Sequence, residues 1–207
     1  MSVDFYESKT RTNLMRAFAG ESQARNRYEF AAEKAKKMGC WFIYNIFTFT
    51  ANQEKAHAEI FYNHLKPENG ETIVIDNAGY PVDNYETIEE LLRAAQGNEY
   101  DEYETVYPEF AKIAKEEGFP DIAFSFEKIA EIEKAHGDRF GCFAELLENS
   151  KMFTGDENTE WICLNCGHIQ KGKNAPKQCP VCKSAQGYFV PYKYYNFVAE
   201  KYGLASL

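Results

Sequence analysis

Four segments of this chain carry apolar residues at alternating steps of three and four, the spacing that places them on one face of an α-helix. Acidic and imidazole side chains occupy positions within all four apolar stripes. The residues concerned are Glu21, Glu54, His57, Glu99, Glu102, Glu133 and His136. Burying an ionised carboxylate without compensation is unfavourable, so glutamates that converge in one core must be paired, neutralised or bound to cations. Bound metal would satisfy all of them together.

The periodic segments predict four long helices with one long connection. The first two are expected at roughly 4–38 and 41–65 as antiparallel neighbours, with Gly39 as the C-cap of the first. Residues 66–86 contain several prolines and glycines around a short β-favouring run at 72–75. Because this stretch is long for a compact connection, it indicates a crossover.

The third helix is expected to open at Thr87, which forms a capping-box pattern with Glu90, and to end at Gly118. Pro120 suits the first turn of a fourth helix. Together the segments predict an all-α four-helix bundle with a long crossover.

The spacing of the polar residues indicates a two-metal site. Glu54-x-x-His57 and Glu133-x-x-His136 each place a carboxylate and an imidazole one turn apart on the same helix face, so each pair can bind a metal. The other two helices each add an in-phase glutamate, which completes the pattern of ferritin-like di-metal proteins. Mixed oxygen and imidazole ligands suit iron or manganese better than zinc, and iron is the first choice.

Glu102 lies one turn beyond Glu99 and exceeds the ferritin-like set, so we treat it as an additional ligand used in only one oxidation state. The alternative is that some of these side chains are wetted at the bundle ends or form structural ion pairs. The arginines considered for such pairs are Arg25, Arg27 and Arg139. His64 and Glu131 also fall near the stripes and are interpreted as structural.

The C-terminal part of the chain contains two C-x-x-C pairs separated by twelve residues. The cysteines are Cys163, Cys166, Cys179 and Cys182. Paired spacing of this kind suits one tetrahedral site for a single iron or zinc, and Gly167 allows the tight knuckle turn. We therefore expect a bundle over residues 1–152 and a small metal-knuckle β domain over 153–207. Cys40 and Cys142 stand alone and are interpreted as inert core thiols.

The cysteine spacing does not choose between the two metals. Zinc would make the small domain a folding staple. A redox-active di-metal site needs an electron source, and this context favours iron. The aromatic residues Trp161, Tyr188 and Phe189 would either shield the metal or simply form the core of the domain.

Composition excludes several classes of partner. The formal net charge of -9 disfavours nucleic acid, whose binding needs clustered basic residues. No run of about 18 uncharged apolar residues is present, and the start of the chain lacks signal-peptide character. We expect a cytoplasmic protein that binds no nucleic acid and no membrane.

With these motifs, the chain resembles the rubrerythrin family over nearly its whole length. Rubrerythrins have a ferritin-like di-iron domain followed by a rubredoxin-like domain. The matching motifs are Phe18-Ala-Gly-Glu-Ser-Gln-Ala, Gln53-Glu-Lys-Ala-His57, Glu99 and Glu102 before Tyr107-Pro108, Glu133 with His136, and the four paired cysteines.

The resemblance implies roles for the predicted ligands. Glu54 and Glu133 would bridge two irons. Each iron would be completed by one more glutamate and one histidine, Glu21 with His57 at one iron and Glu99 with His136 at the other. Glu102 would replace His57 according to oxidation state.

The resemblance also concerns three residues around the metals. Tyr28 and Tyr107 match tyrosines that form hydrogen bonds around the di-iron site, although a phenol on a bundle stripe is more often simply core. His168 departs from the family, since many relatives carry an aromatic residue after Cys166-Gly167. It would hydrogen-bond a sulfur, and so tune the potential of the iron, or face water.

As a rubrerythrin-like protein, the chain is expected to be a peroxidase that reduces hydrogen peroxide to water in oxidative-stress defence. Electrons would pass through the four-cysteine iron from an external NAD(P)H-dependent reductase or rubredoxin, since no nucleotide-binding fingerprint is present. A homodimer, with helices exchanged between subunits as one option, is expected. The alternatives are iron oxidation and storage with a structural zinc at the cysteines, and a substrate oxygenase.

Overall fold

Two long helices open the fold and pack against each other along their length. In the computed structural model, which describes residues 3–195, α1 (Lys9–Lys37) begins where Ser8 accepts a hydrogen bond from the Arg11 N–H. A 3-10 turn (Phe5–Glu7) precedes it, and Gly39, with a φ of 77°, turns the chain into α2 (Trp41–His64). Because Phe18 contacts Tyr62 whereas Tyr28 contacts Phe47, the helices are antiparallel, as predicted.

The third predicted helix runs without a gap from Ile88 to Glu117 but contains a π-helical turn that the sequence did not predict. The predicted capping box is present at the start of α3 (Ile88–Asp101). A π-helical turn (Glu102–Val106) then leads into α4 (Tyr107–Glu117). Pro108 has no N–H to donate to the carbonyl one α-helical turn earlier, so the wider turn costs little here. Single π-turns inside helices often occur at functional sites.

The last helix, α5 (Pro120–Glu148), closes the bundle. Its contacts with α2 join Thr50 to Arg139 and His64 to Ser125, so α2 and α5 are antiparallel. Arg93 of α3 pairs with Glu148 near the end of α5, so α3 is also antiparallel to α5. Since α2 and α3 therefore run parallel, the connection between them must cross the whole bundle. This confirms the predicted crossover.

The crossover lies along α1 and is held by basic residues of that helix. Apart from the 3-10 turn Lys66–Glu68 it has no regular secondary structure, and the β-favouring run at 72–75 forms no strand. The contacts from α1 are Arg11 with Glu68, Arg16 with the carbonyl of Asp76, Arg27 with Asp83, and Lys34 with the carbonyl of Tyr85.

Aromatic residues above and below the predicted metal ligands divide the bundle core into two layers. On α2, Phe47 and Phe61 lie two turns before and after Glu54, and on α5, Phe126 and Phe140 flank Glu133 in the same way. All four rings are fully buried. Each stabilises the fold by about 1.5–3 kcal/mol through burial. Together they exclude water from the level of the bundle between them.

The C-terminal unit is a three-stranded antiparallel sheet in the order β2-β1-β3. Its strands are β1 (Glu160–Cys163), β2 (Ile169–Lys171) and β3 (Phe189–Pro191). The expected fold class, a helical bundle with a small knuckle domain, is therefore confirmed. The boundary at residue 152 stays a prediction. Met152 packs into the bundle core and Thr154 bridges to Asn174, while residues 1–2 and 196–207 of the predicted domains lie outside the described residues.

The sheet unit docks on the end of the bundle where α1 turns into α2. Trp41 stacks on Tyr188 with ring centroids 4.8 Å apart and planes inclined by 19°. Gly187 lies against the carbonyl of Gly39, so that a Cβ atom there would be 1.7 Å from the carbonyl oxygen. Only glycine fits this contact. None of the helices within residues 3–195 combines the length and apolar composition needed to cross a membrane.

Candidate metal centres

The structure brings six of the seven predicted bundle residues together at one level. They form two groups of potential metal ligands, each with ligand atoms within 4.8 Å of one another. One group is Glu21, Glu54, His57 and Glu133, and the other is Glu54, Glu99, Glu133 and His136. All six side chains are buried, with at most 4% of their surface exposed. Helices α1, α2, α3 and α5 each contribute at least one of them.

Glu54 and Glu133 belong to both groups because each directs one oxygen to each histidine. The Nδ1 atom of His57 lies 3.0 Å from one oxygen of Glu54 and 2.9 Å from one of Glu133. The Nδ1 atom of His136 lies 3.0 Å from the other oxygen of Glu54 and 2.8 Å from the other of Glu133. The two imidazole rings are nearly parallel, 5.6 Å apart. The arrangement is therefore nearly symmetric about the shared carboxylates.

Each group is completed by one glutamate farther from its histidine. Glu21 lies 3.9 Å from Nδ1 of His57, and Glu99 lies 3.7 Å from Nδ1 of His136. Several of these buried atoms have no aligned hydrogen-bond partner. They are Glu21 Oε2, Glu54 Oε1, Glu99 Oε2, both oxygens of Glu133, and both ring nitrogens of His136. Buried polar atoms normally have partners, and this set of oxygen and imidazole donors fits two iron ions.

The electrostatics of the site depend on the close packing of like charges. Burial and the charges of Glu54 and Glu133 raise the pKa of Glu99 to about 8. Burial alone would lower the pKa of His57, but hydrogen bonds to Glu133 and Glu54 raise it to about 9. Burial and the neighbouring carboxylates also raise the pKa of Glu21 well above its usual range. In the metal-free protein, protons therefore compensate part of the buried charge.

The arginines considered as alternative partners have other contacts. Arg25 pairs with Glu29, and Arg27 pairs with Asp83. Arg139 donates to Thr50 at 2.9 Å and to Gln53 at 3.0 Å. These contacts give no support to the interpretation of the buried glutamates as arginine ion pairs.

Glu102 is in neither group of potential ligands. It begins the π-helical turn and is half-buried, whereas the other six residues are fully covered. Burial and the charges of Glu99, Glu133 and Glu54 raise the pKa of Glu102 well above its usual range. The predicted exchange between Glu102 and His57 stays a prediction.

Tyr28 and Tyr107 occupy equivalent positions beside the two outer glutamates. The hydroxyl of Tyr28 donates to Oε1 of Glu99, and that of Tyr107 donates to Oε1 of Glu21. Burial raises the pKa of both phenols well above the usual value, so both remain protonated donors. Each hydrogen bond fixes the orientation of one glutamate.

The remaining polar residues near the stripes are structural in their contacts. His64 is half-buried, and its Nε2 lies 2.9 Å from the hydroxyl of Ser125. Glu131 is exposed and pairs with Lys128. Cys40 and Cys142 are half-buried rather than core, and burial raises the pKa of both thiols, which suppresses the reactive thiolate.

The four paired cysteines converge in the sheet unit. Sγ of Cys163 lies 3.7 Å from that of Cys182, and Sγ of Cys166 lies 3.7 Å from that of Cys179. A tetrahedron with metal–sulfur bonds of about 2.3 Å has edges of about 3.8 Å, so the spacing fits one metal ion. It is far longer than a disulfide bond.

The two knuckles repeat the same backbone geometry. Gly167 donates to the carbonyl of Cys163 at 2.8 Å, and Lys183 donates to that of Cys179 at 3.0 Å. Both have positive φ angles, 75° and 64°. Hydrogen bonds from Asn165 and Ser184 lower the pKa of Cys182 to about 5, which favours the thiolate that binds metal.

The three aromatic residues expected around the thiols are buried or half-buried. Trp161 and Phe189 are fully buried and Tyr188 is half-buried. These rings belong to the core and also cover the cysteines, so both interpretations hold. The Nε2 atom of His168 is buried and has no hydrogen-bond partner among the described residues.

Sequence reasoning missed the contributions of the crossover. Tyr80 reaches the edge of the metal level and lies against Gly20. Asp83 receives hydrogen bonds from both Arg27 and Asn98. No local pattern indicates these contacts, because they join residues more than fifty positions apart or depend on the path of an irregular segment.

The fold and the two clusters define a ferritin-like non-haem metalloprotein that carries a rubredoxin-like domain. A family model described as Rubrerythrin matches residues 12–143, and one described as Rubrerythrin, rubredoxin-like domain matches residues 161–190. The chain belongs to the rubrerythrin family. This confirms the resemblance recognised in the sequence.

Individual relatives also support membership of the rubrerythrin family. Rubrerythrin-1 of Clostridium acetobutylicum is 45% identical over 183 residues, covering 88% of this chain and 93% of the relative. The rubrerythrin of Nitratidesulfovibrio vulgaris is 40% identical over 182 residues, with the same two shares. A structure of nigerythrin in a partially reduced state has a TM-score of 0.60 at 26% identity and covers 92% of each chain.

A more distant structure supports the fold alone. The bacterioferritin of Desulfovibrio desulfuricans has a TM-score of 0.61 at 24% identity and covers 69% of this chain and 82% of its own. Rubrerythrins are oxidoreductases with a non-haem di-iron centre and an iron bound by four cysteines. The Glu/His groups of the bundle and the four thiols fit these two cofactors.

Proposed function

We propose that this protein is a peroxidase that reduces hydrogen peroxide to water. The observation that supports this most directly is the pair of buried Glu/His groups that share Glu54 and Glu133, in the same chain as a four-thiol site. The first groups suit two metals close together, and the second suits a one-electron carrier.

The ligand assignment is part of the proposal. Glu54 and Glu133 would be shared by the two metals, because each directs one oxygen to each histidine. Glu21 with His57 would complete one metal and Glu99 with His136 the other, and Glu102 would take the place of His57 in one oxidation state. When bound, the two irons supply the two electrons that cleave the O–O bond, and the four-cysteine iron supplies replacement electrons one at a time.

The protein residues orient the ligands and exclude water. Tyr28 and Tyr107 keep their protons and hold the outer glutamates in place by donating hydrogen bonds. The phenylalanine layers on either side keep the site dry, which strengthens the electrostatic interactions within it. The half-buried Glu102 is the member of the set that can contact incoming substrate.

Electron supply requires partners outside this chain. We propose an NAD(P)H-dependent reductase or a rubredoxin as the donor. Within one chain the sheet unit docks at Trp41, thirteen residues before Glu54 on α2, which is about 20 Å along the helix axis. Electron transfer slows steeply with distance. We therefore propose a homodimer, with or without exchanged helices, in which the four-cysteine site of one subunit serves the other subunit.

We also propose the cytoplasmic location expected in the sequence analysis, since a reducing compartment keeps thiolates free to hold a metal instead of forming disulfides. Solution mass measured together with electron transfer after dilution tests the dimer. A monomer with undiminished transfer contradicts the intersubunit route.

Peroxide turnover under anaerobic conditions tests the function. The chemically reduced protein should consume hydrogen peroxide in a single turnover, and a reductase with NAD(P)H should sustain the reaction. Cys179→Ser is expected to keep the single turnover and lose sustained turnover. If the protein instead consumes ferrous iron with oxygen, ignores peroxide and holds zinc at the cysteines, it is an iron-oxidising and storage protein and the peroxidase proposal is wrong.

A further inference from the structure

A cavity of about 360 Å³ lies between α1, the crossover and the π-helical turn. Arg16 and Gly20 line it from α1, and Tyr80 lines it from the crossover. Glu102 and Thr105 line it from the π-helical turn. We call this space the crossover cavity.

The inner wall of the crossover cavity belongs to the candidate di-metal site. Glu102 lines it and is half-buried, whereas the six clustered ligands have almost no exposed surface. Tyr107 lines it as well, and its hydroxyl donates to Glu21. A molecule in this cavity therefore lies next to Glu102, the predicted ligand with the most exposed side chain. It also lies next to Tyr107, which donates a hydrogen bond to the predicted ligand Glu21.

The outer wall is formed by the ring of Tyr80. A Cβ atom at Gly20 would lie 3.7 Å from Cε1 of this ring, so a larger side chain there would project toward it. The Tyr80 hydroxyl donates to the carbonyl of Arg16 at 3.0 Å, and the Arg16 guanidinium donates to the carbonyl of Asp76 at 2.8 Å. The ring is thus held across the cavity by exposed contacts between an irregular segment and a helix.

The size of the crossover cavity exceeds what hydrogen peroxide needs. One water molecule takes a share of about 30 Å³ in the liquid, so the cavity has room for about ten. Cavities of about 300–1,000 Å³ are those that hold small organic ligands. Ala17, Val106 and Phe110 add apolar surface to the wall, beside the polar groups of Arg16 and Glu102. This mixture suits a small molecule with one polar and one apolar end.

We propose that the crossover cavity is the chamber through which peroxides reach the di-metal site, that it accepts small organic hydroperoxides, and that Tyr80 sets the size limit. This inference rests on the proposed peroxidase function. Reduction of an organic hydroperoxide breaks its O–O bond, consumes two electrons from the external donor and two protons, and yields one alcohol and one water.

The entry route is tested by the association rate of azide with the iron-loaded protein, followed by visible absorption. Gly20→Leu and Thr105→Trp, which fill the cavity from opposite walls, are expected to slow association by about tenfold. Gly20→Ala and Glu104→Trp are the matched controls, because a Cβ fits at position 20 and Glu104 is exposed outside the cavity. Unchanged rates in both filling variants would show that ligands enter elsewhere and would overturn the inference.

The size limit is tested by comparing cumene hydroperoxide with hydrogen peroxide. Tyr80→Ala should raise kcat/KM for the organic substrate relative to hydrogen peroxide by about tenfold or more. Tyr80→Phe keeps the ring and removes only the hydrogen bond to Arg16, and it should leave the ratio near the wild-type value. If Tyr80→Ala leaves the ratio unchanged, Tyr80 does not limit substrate size.

The two experiments separate this inference from the proposed function. A wild-type protein that reduces no peroxide, but whose azide association slows in the filled variants, refutes the peroxidase function and supports the entry route. A protein that reduces hydrogen peroxide normally in all filled variants, with unchanged azide association, supports the peroxidase function and refutes the entry route.

Discussion

At the scale of single residues, the shared carboxylates carry the account of the di-metal site. Glu54 and Glu133 each direct both oxygens to histidine nitrogens at 2.8–3.0 Å. At most 1% of the surface of either residue is exposed to solvent. A buried carboxylate with this environment is tolerated only when protons or metal ions balance its charge. Loss of either residue should therefore affect both metals together.

Glu133→Ala is expected to remove both metals from the bundle, because its carboxylate belongs to both ligand groups, and to leave the four-cysteine iron unchanged. Elemental analysis and visible absorption measure the two sites separately. Glu131→Ala is the control, since Glu131 is exposed on the same helix and pairs with Lys128. Two bundle metals retained by Glu133→Ala would contradict its bridging role.

Tyr107→Phe is expected to weaken metal binding in the bundle by about tenfold or more, because the hydrogen bond that orients Glu21 is lost. Competition with a chelator of known affinity measures the change. Tyr103→Phe, which removes a hydroxyl from the π-helical turn that precedes Tyr107, is the control. If Tyr107→Phe and the wild-type protein bind metal with equal affinity, the hydrogen bond from Tyr107 to Glu21 does not contribute to metal binding.

At the scale of elements, the sequence predicted the helices and failed where a tertiary contact or a backbone detail decides the structure. Stripes with a period of 3.6 locate α1, α2 and α5, because one face of each helix is buried along its whole length. The π-helical turn has no such pattern, since it inserts one residue into a continuous helix. The crossover is irregular, and some of its contacts with α1 are hydrogen bonds to backbone carbonyls, which no side-chain pattern encodes.

The docking of the sheet unit is another feature that the sequence does not reveal, and it depends on Gly187. Gly187→Ala places a methyl group against the carbonyl of Gly39, so the sheet unit should separate from the bundle or shift. The stack of Trp41 on Tyr188 would then be lost, and tryptophan fluorescence should change. Gly97→Ala, at a helical glycine with open space around it, is the control. Unchanged fluorescence and stability in Gly187→Ala would contradict this tight contact.

At the scale of the whole molecule, the negative charge of the buried glutamates must be balanced in every form of the protein. Metal ions would balance it in the loaded protein, and protons balance part of it in the metal-free protein. The structure brings six of the predicted residues to one level because their helical phase and chain order suffice to define it, and their role as ligands stays a prediction. Glu102 is in neither group, and it lies where α3 gives way to the π-helical turn. The charge of the site should therefore control the stability of the whole bundle when metal is absent.

The metal-free protein is expected to become less stable as pH rises from about 6 to about 8.5, by on the order of 5 kcal/mol. The folded-state pKa of Glu99 is raised to about 8 and that of His57 to about 9, so the folded protein holds protons that the unfolded chain has released. Raised pKa values give stability at low pH that is lost as pH rises through them. The lowered pKa values of Glu54 and Glu133 act only at more acidic pH.

Urea unfolding of the metal-free and iron-loaded proteins at both pH values measures this effect. Bound metal keeps the ligands deprotonated, so the loaded protein should not lose stability over the same range. A metal-free protein whose stability is constant or rises with pH would show that the buried carboxylates are not protonated in the fold.

The central claim is that the bundle holds two metal ions between Glu54 and Glu133 while the thiols hold a third. Anomalous scattering from crystals, recorded on both sides of the iron and zinc absorption edges, locates and identifies each ion. We expect two iron peaks at the level of the clustered ligands and one iron peak among the four sulfur atoms. A single peak or none in the bundle of iron-replete protein would contradict the account.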